Sequence, residues 1–507
     1  MTFAAGRLST AHSHFLTQTF YRMKRLHFLY LLALIVGLGF TACNDDDLDP
    51  EPGCDVFAGP CPTLVEERVL DRTCDDGSAV SLTIVDVTDL GEGTGTTRWT
   101  SDKVYILNGL VFVNDGQTLT IEPGTIIKGR AGQTEEASAL VVARGGKLIA
   151  DGTADDPIVF TSQADGIYRT PSGDACTEST LDANTRGLWG GLIILGKAGI
   201  TADTEERAIE GIPTSEARGL YGGSEDGDNS GTLRYVSIRH GGTDIGAGNE
   251  INGLTMGGVG NGTVIENVEV FANNDDGFEW FGGTVNTKNL VAAFCGDDSF
   301  DYDEGWRGSN QFWLAYQLNV GDRGGEHDGG PSSCETCTPF AIPVIYNATY
   351  VGQGEAAGTR AVSLRDNAGG KYYNSIFVDY GRGVDIEYLP GSDDSFKQAQ
   401  DGNLEFRNNI FFNVATGGDL FTVTNGSDDE NLDISAQEAE LAAIVADWNN
   451  TTADPELESL QPRAAVVTDD LAPAPTDNFI EAVDYKGAVS NTGTPWIAGW
   501  SRLAQEL

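Results

Sequence analysis

Two neighbouring stretches hold more carboxylates, closer together, than a solvated loop requires. Asp275-Asp276-Gly277-Phe278-Glu279-Trp280-Phe281-Gly282-Gly283 is followed 22 residues later by Asp297-Asp298-Ser299-Phe300-Asp301-Tyr302-Asp303-Glu304-Gly305. Carboxylates at this density suit two chemistries. A hard cation such as Ca²⁺ takes roughly six to eight oxygens and relieves the repulsion among them. Paired carboxyls facing a groove can instead act as general acid and base on a glycosidic bond.

The spacing says where these groups stand. A repeat offset in the twenties marks a solenoid, whose coils bury their apolar faces against one another. Side chains alternate along a strand, so Phe278 and Trp280, and on the next coil Phe300 and Tyr302, turn inward. Glu279 and Asp301 then face outward at equivalent positions, as do Phe281 and Asp303. Coils lie about 4.8 Å apart. Two carboxylates at that separation repel by roughly 3 kcal/mol at an effective dielectric near 20, and by less than about 1 kcal/mol in water. The expected relief is Ca²⁺ held by Asp275, Glu279, Asp301, Asp303 and Glu304. The competing reading makes Asp275 and Asp297 corner residues that bond their own backbone, with the remaining acids hydrated. Trp306 and Trp313 are candidate sugar-stacking faces. No organic cofactor is expected.

The elements that position these residues are short. Val104–Val113, Thr118–Ile127, Ser138–Val142, Gly146–Ala150, Pro157–Ser162 and Gly187–Leu195 are β-rich runs punctuated by Gly, Asp and Pro. The absence of a helical period between them excludes βαβ winding. From Leu233 a second cadence begins, with phrases opening at Leu233, Ile265, Thr287, Ile345, Tyr372 and Phe406 and an intermediate coil at Gln311–Tyr316. Five of the six phrases place Asn third: Asn267, Asn289, Asn347, Asn374 and Asn408. Asn tolerates a left-handed corner and can ladder with an Asn one coil away. After Asn413 the cadence stops. Ser435–Trp448 reads as an amphipathic helix with Ser435 as N-cap and Glu438 three residues on, within a segment expected to cover the open end of the solenoid.

Residues 1–43 read as an address. Met23-Lys24-Arg25 is a basic start, Leu26–Phe40 an apolar run of signal-peptide length, and Phe40-Thr41-Ala42-Cys43 resembles a bacterial lipobox, which makes Cys43 the expected acylation site; the competing reading is an uncleaved membrane anchor. Met23 is the expected true start. Residues 44–64 form an acidic, proline-bearing tether. Seven cysteines follow Cys43. Outside the cytoplasm most should pair, and Cys334 with Cys337 is expected to staple a loop rather than to form half of a zinc site. The net charge of −45 argues against nucleic acid and bare anionic membrane as partners. Sequence says nothing of the oligomeric state.

The cadence resembles the right-handed parallel β-helix superfamily that includes pectate lyases and polygalacturonases. Thr118–Ile127, Gly146–Thr153 and Pro157–Thr161 resemble the opening coils of envelope β-helix proteins. The two acidic–aromatic phrases resemble those of β-helix lipoproteins from Bacteroidetes and spirochaete outer membranes. The resemblance covers Lys103 to Asn413. It implies an all-β solenoid with a small C-terminal cap containing one helix: a lead-in over 65–102, the β-helix over 103–413 and the cap over 414–507. Asn274-Asp275-Asp276-Gly277, Gly296-Asp297-Asp298 and His327 also resemble the polygalacturonase order. That resemblance implies Asp298 as the acid, with Asp276 and Asp297 activating water. The chain departs from the pattern in three ways. His327 sits between Glu326 and Asp328, no Arg-Ile-Lys follows (Arg360 and Arg365 are the nearest cations), and the net charge repels polygalacturonate. A calcium-dependent lyase would need Arg307 or Arg323 as its base. The expected function is therefore a lipid-anchored outer-membrane surface protein, either polysaccharide-binding or structural, with Ca²⁺ as a structural ion. A polysaccharide hydrolase or lyase is the alternative.

Overall fold

A computed structural model describes residues 63–507, apart from 75–76, 134–136, 170–175, 177, 244–250, 332, 335, 428 and 477–478. The leader with Cys43, nearly all of the acidic tether, and Cys54 and Cys61 lie outside the described residues.

From Tyr235 onward the coils share one conformational device. A strand in an eighteen-stranded sheet bends at a single left-handed residue, then the chain crosses to a short strand in a ten-stranded sheet. The bend falls at Tyr235, Asn267, Asn289, Phe312, Asn347, Asn374 and Asn408, all with φ between 47° and 63°. Asn is favoured there because its short polar side chain tolerates that region. The Asn corner read from the sequence is thus present. Two of these side chains bond the C-terminal chain instead of a neighbouring corner Asn: Asn347 donates to the Tyr485 carbonyl and Asn374 to the Ala472 carbonyl, and Asn347 accepts from Gln311 of the preceding coil. The coil at Gln311 is shifted by one residue from the sequence phrase. Lys288 pairs with Gln311 and Leu290 with Trp313, so the corner residue is Phe312.

That register sends Trp313 inward. The interior is an aromatic column running along the solenoid axis. Phe278 stacks on Phe300 at 5.5 Å, Trp280 on Trp306 at 4.4 Å and on Trp313 at 5.0 Å, and Phe300 on Trp313 at 4.5 Å. Farther along, Tyr372 stacks on Phe406 and Phe377 on Phe411. Trp306 and Trp313 are fully buried in this column, with indole N–H groups bonded to the Val285 carbonyl and the Thr287 hydroxyl. Neither offers a face to a sugar, which corrects the stacking role expected for them.

Three devices close the solenoid. At the first coil, Leu64–Thr73 pairs antiparallel with Ala79–Thr88, which pairs parallel with Lys103–Leu107. Cys74–Cys176 ties this end to a later loop, and Cys334–Cys337 is bonded as expected; Cys295 is free and buried. At the last coil, the helix Ser435–Val445 and Trp448 cover Phe406 and Phe421, while Asn450 completes the rung at Asn409. The expected cap at Ser435 is not made: Asp433 accepts the Ser435 N–H instead. The remaining C-terminal chain is a strap rather than a lid. It runs back along the flank, packs Leu460, Val467, Val489, Ile497 and Leu503 on Phe271, Val291, Leu314 and Ile376, and ends where the Arg502 and Leu503 N–H groups donate to the buried Glu269 carboxylate at 2.8 Å. Among the described residues no helix is long and apolar enough to cross a membrane.

The aromatic column makes one position decisive. Trp280 contacts four other rings, and Trp280→Ala is expected to cost about 3–5 kcal/mol, read as a lower urea midpoint at unchanged slope. A loss below about 1 kcal/mol would show that the column does not hold the coils together.

Candidate functional site

The outward face of the ten-stranded sheet sets the site. Glu279 pairs with Asp301, Asp301 with Glu326, Glu326 with Ser363 and Ser363 with Asp385, so one column of outward positions crosses five strands. A second column carries Phe281, Asp303, Asp328, Arg365 and Glu387. The alternation read from the sequence is therefore correct, but outward does not mean exposed. The excursion 197–222 folds over the earlier strands, placing Ile200, Ile209, Ile212 and Tyr221 on Val141, Ile193 and Phe281. Beneath it Glu279 is buried and accepts from Asn252, which also donates to Glu210.

The corner acids have a different task. Asp276 Oδ1 accepts the Asp298 N–H at 2.8 Å, and Asp298 Oδ1 accepts the Arg323 N–H at 2.6 Å. Each carboxylate thus bonds the backbone of the following coil. Both are buried, and Asp297 alone of the three is exposed. His327 lies inside the coil, stacked on Tyr302 at 3.9 Å with Nε2 2.7 Å from the Tyr372 hydroxyl. Burial pulls its imidazole down to about 3, so it stays neutral. Asp276, Asp297, Asp298 and His327 do not converge on an open groove, and the hydrolytic constellation expected from the sequence is not assembled. The lyase bases are engaged as well: Arg307 pairs with Asp226 at 2.7 Å, and Arg323 with Asp298, Asp322 and Glu326.

The expected calcium set is regrouped. Carboxylate oxygens of Asp276, Glu279 and Asp301 lie within 4.8 Å of one another, as do those of Asp275, Asp276 and Asp297. Asp276, assigned to water activation by resemblance, belongs with the ligand candidates. Asp301 Oδ1 is buried without a hydrogen-bond partner. Burial, then the neighbouring acids, raises Asp276, Glu279 and Asp301 well above the usual carboxylate range. The same causes push Asp303 up to about 8. Such groups meet the demand of a hard divalent cation: several oxygens, close together, each destabilised as an anion without one. Asp303 and Glu304, both in the expected set, lie outside these close groups, although burial raises Glu304 as well. Glu304 has other partners. It accepts from the Tyr221 hydroxyl at 2.6 Å and pairs with Arg207, latching the excursion onto the coil.

The sequence reading missed a column of arginines. Arg323 pairs in register with Arg360, and Arg360 with Arg382. Three strands share one phrase: Arg323-Gly324-Gly325-Glu326-His327-Asp328, Arg360-Ala361-Val362-Ser363-Leu364-Arg365 and Arg382-Gly383-Val384-Asp385-Ile386-Glu387. Arginine opens each, and polar side chains point outward two and four places after the next residue in line. The signal was present but irregular, because the offsets are 37 and 22 residues and a disulfide loop interrupts the first. Arg365 pairs with Glu326 and Asp328 at 2.6 and 2.9 Å, and Arg360 pairs with Asp385. Arg382 is exposed and opens onto a depression of about 420 Å³ lined also by Arg360, Asp385, Thr416, Thr422 and Thr424.

A family model described as a pectate-lyase-like β-helix domain matches residues 91–453. Among solved structures, the Dettilon tailspike protein aligns at 12% identity with a TM-score of 0.26, over 65% of this chain and 62% of the tailspike. The match spans under two thirds of the tailspike's length, and at that score it supports no argument. No curated protein matches the chain.

The raised carboxyls set a pH dependence. Their folded state binds protons that the unfolded state has released, so they stabilise the fold least once pH passes through their folded values, and most below about 4. His327 and the buried His240, whose imidazole burial also lowers, act oppositely and lose stability as pH falls below about 6.5, but they are two groups against several. In chelator, the melting temperature is expected to rise as pH falls from 7 to 5. Ca²⁺ should raise it at pH 7 and do less at pH 5. A melting temperature that falls over that interval, or ignores Ca²⁺ at pH 7, contradicts this account.

Proposed function

The chain belongs to the pectate-lyase-like β-helix family, and on that premise we propose that it is a lipid-anchored surface protein of a bacterial outer membrane that binds a linear polysaccharide along the outward face of its ten-stranded sheet. One observation carries this reading. From Arg323 to Asn425 that face keeps arginine, carboxylate and threonine side chains in register over four successive strands and in line with the solenoid axis, mostly half-buried, with Arg382 exposed and Ser363 and Asp385 buried among them. Repeated donors and acceptors at coil spacing suit a ligand that is itself a repeat. Hydroxyls and ring oxygens of a glycan would bond the guanidinium N–H groups of Arg360 and Arg382, the Asp385 carboxylate and the Thr422 and Thr424 hydroxyls.

Ca²⁺ at Asp276, Glu279 and Asp301 has a structural part in this proposal. It would neutralise the buried acids where the excursion 197–222 meets the sheet and so hold the strip's earlier edge. The binding reading is preferred to catalysis because Asp276 and Asp298, two of the three carboxyls a hydrolase would use, are buried and bonded to the backbone of the following coil. Acylated Cys43 and the acidic tether would set the β-helix at a distance from the membrane surface.

Two experiments address these points. The purified chain is incubated with neutral and acidic polysaccharides, with and without Ca²⁺, and both retention and new reducing or unsaturated ends are measured. Retention without new ends is expected, with Arg382→Ala weakening it about tenfold; new ends from the wild type would overturn the binding reading. Expression of Cys43→Ala in a Gram-negative host should move the chain from the membrane to the soluble envelope fraction. If the variant stays with the membrane, the anchor lies elsewhere.

A further inference from the structure

A depression beside the coils lies away from the strip described above. It has a volume of about 500 Å³ and forms where the 197–225 excursion passes the turns that carry Asp115 and Arg144. We propose that this depression is a second carbohydrate site, and that it takes a neutral pyranose residue. It shares with the preceding reading the class of ligand but none of the residues.

Its walls are held before any ligand arrives. The Arg144 guanidinium donates to the Gly222 carbonyl at 3.0 Å and pairs with Glu206. Arg218 pairs with Glu216 and Asp89 at 2.7 Å and lies over the Phe112 ring at 3.8 Å. Both guanidinium groups are therefore neutralised and fixed, which lowers the ordering cost of binding.

Hydrogen-bonding capacity remains at the edge. Lys197 lies 3.9 Å from Asp115, too far for a hydrogen bond, so its ammonium donors are available. Ser224 and Glu225 add an exposed hydroxyl and an exposed carboxylate. An ammonium, a hydroxyl and carboxylates around one opening offer the mixture of donors and acceptors that vicinal hydroxyls need. Ala143, Ala217 and Leu220 supply an apolar patch for the C–H face of a ring.

Charge selects among sugars. Arg144, Lys197 and Arg218 are matched on the wall by Asp115, Glu206 and Glu225. Asp89 and Glu216, behind Arg218, tip the surroundings to net negative. In a chain of net charge −45, these five carboxylates around three cations would repel a uronate or sulfated residue, whereas a neutral residue would meet no such repulsion and could still take the Lys197 donors.

The test titrates the purified chain with hexasaccharides of glucose, mannose and xylose and with hexagalacturonate, by calorimetry. At least one neutral hexasaccharide is expected to bind more tightly than hexagalacturonate. Ala217 is exposed, so Ala217→Trp fills the depression without touching the core; it should weaken that binding at least tenfold at an unchanged melting temperature. Lys197→Ala should weaken it severalfold. Arg382→Ala, on the strip, should leave the Ala217-sensitive component unchanged, so failure of either site is read separately. The proposal is overturned if no neutral hexasaccharide binds, if hexagalacturonate binds best, or if Ala217→Trp binds as the wild type does.

Discussion

Everything in this molecule follows from coils stacking in register at strand spacing. A side chain on one coil has its counterpart about 4.8 Å away on the next. Inside, that constraint is favourable: rings at equivalent positions stack, and Phe278, Trp280, Phe300, Trp306 and Trp313 become one column. Outside, the same constraint puts like charges in line. Glu279, Asp301 and Glu326 on one face, and Arg323, Arg360 and Arg382 beside them, are the electrostatic consequence of the repeat that builds the core.

The chain meets that consequence in three ways along its length. Early in the sheet, outward positions are apolar and the excursion 197–222 covers them. In the middle, buried carboxyls are shifted toward their neutral form or require a cation. Later, arginine and carboxylate alternate between columns, so Arg365 neutralises Glu326 and Asp328, and Arg360 neutralises Asp385. Only this last part of the face stays open. The polar strip is thus located by how the repeat's own repulsion is resolved.

The corners show a second economy of design. A left-handed residue bends each long strand, and Asn suits it. Yet Asn347, Asn374 and Gln311 also bond the C-terminal strap, and Glu269 anchors the strap's end. The part of the eighteen-stranded sheet that carries Phe271, Val291, Leu314 and Ile376 is therefore covered by the chain itself.

Local pattern alone determined the solenoid, its 22-residue unit, the inward aromatics of the two acidic phrases, the Asn corners and the Cys334–Cys337 staple, because alternation, left-handed tolerance and short spacing are properties of neighbouring residues. The tertiary structure decided the rest. Trp306 and Trp313 lie outside the repeated phrase, so only the register could show them stacked inside. Asp276 and Asp298 look like catalytic carboxyls in one dimension, and their bonds to the following coil exist only once coils stack. The arginine column was written in the chain, but insertions of unequal length hid its period, and the cover over Glu279 comes from residues about 70 positions away. Sequence specifies which way a side chain turns; what it then meets is set by the coil above and the loop that crosses it.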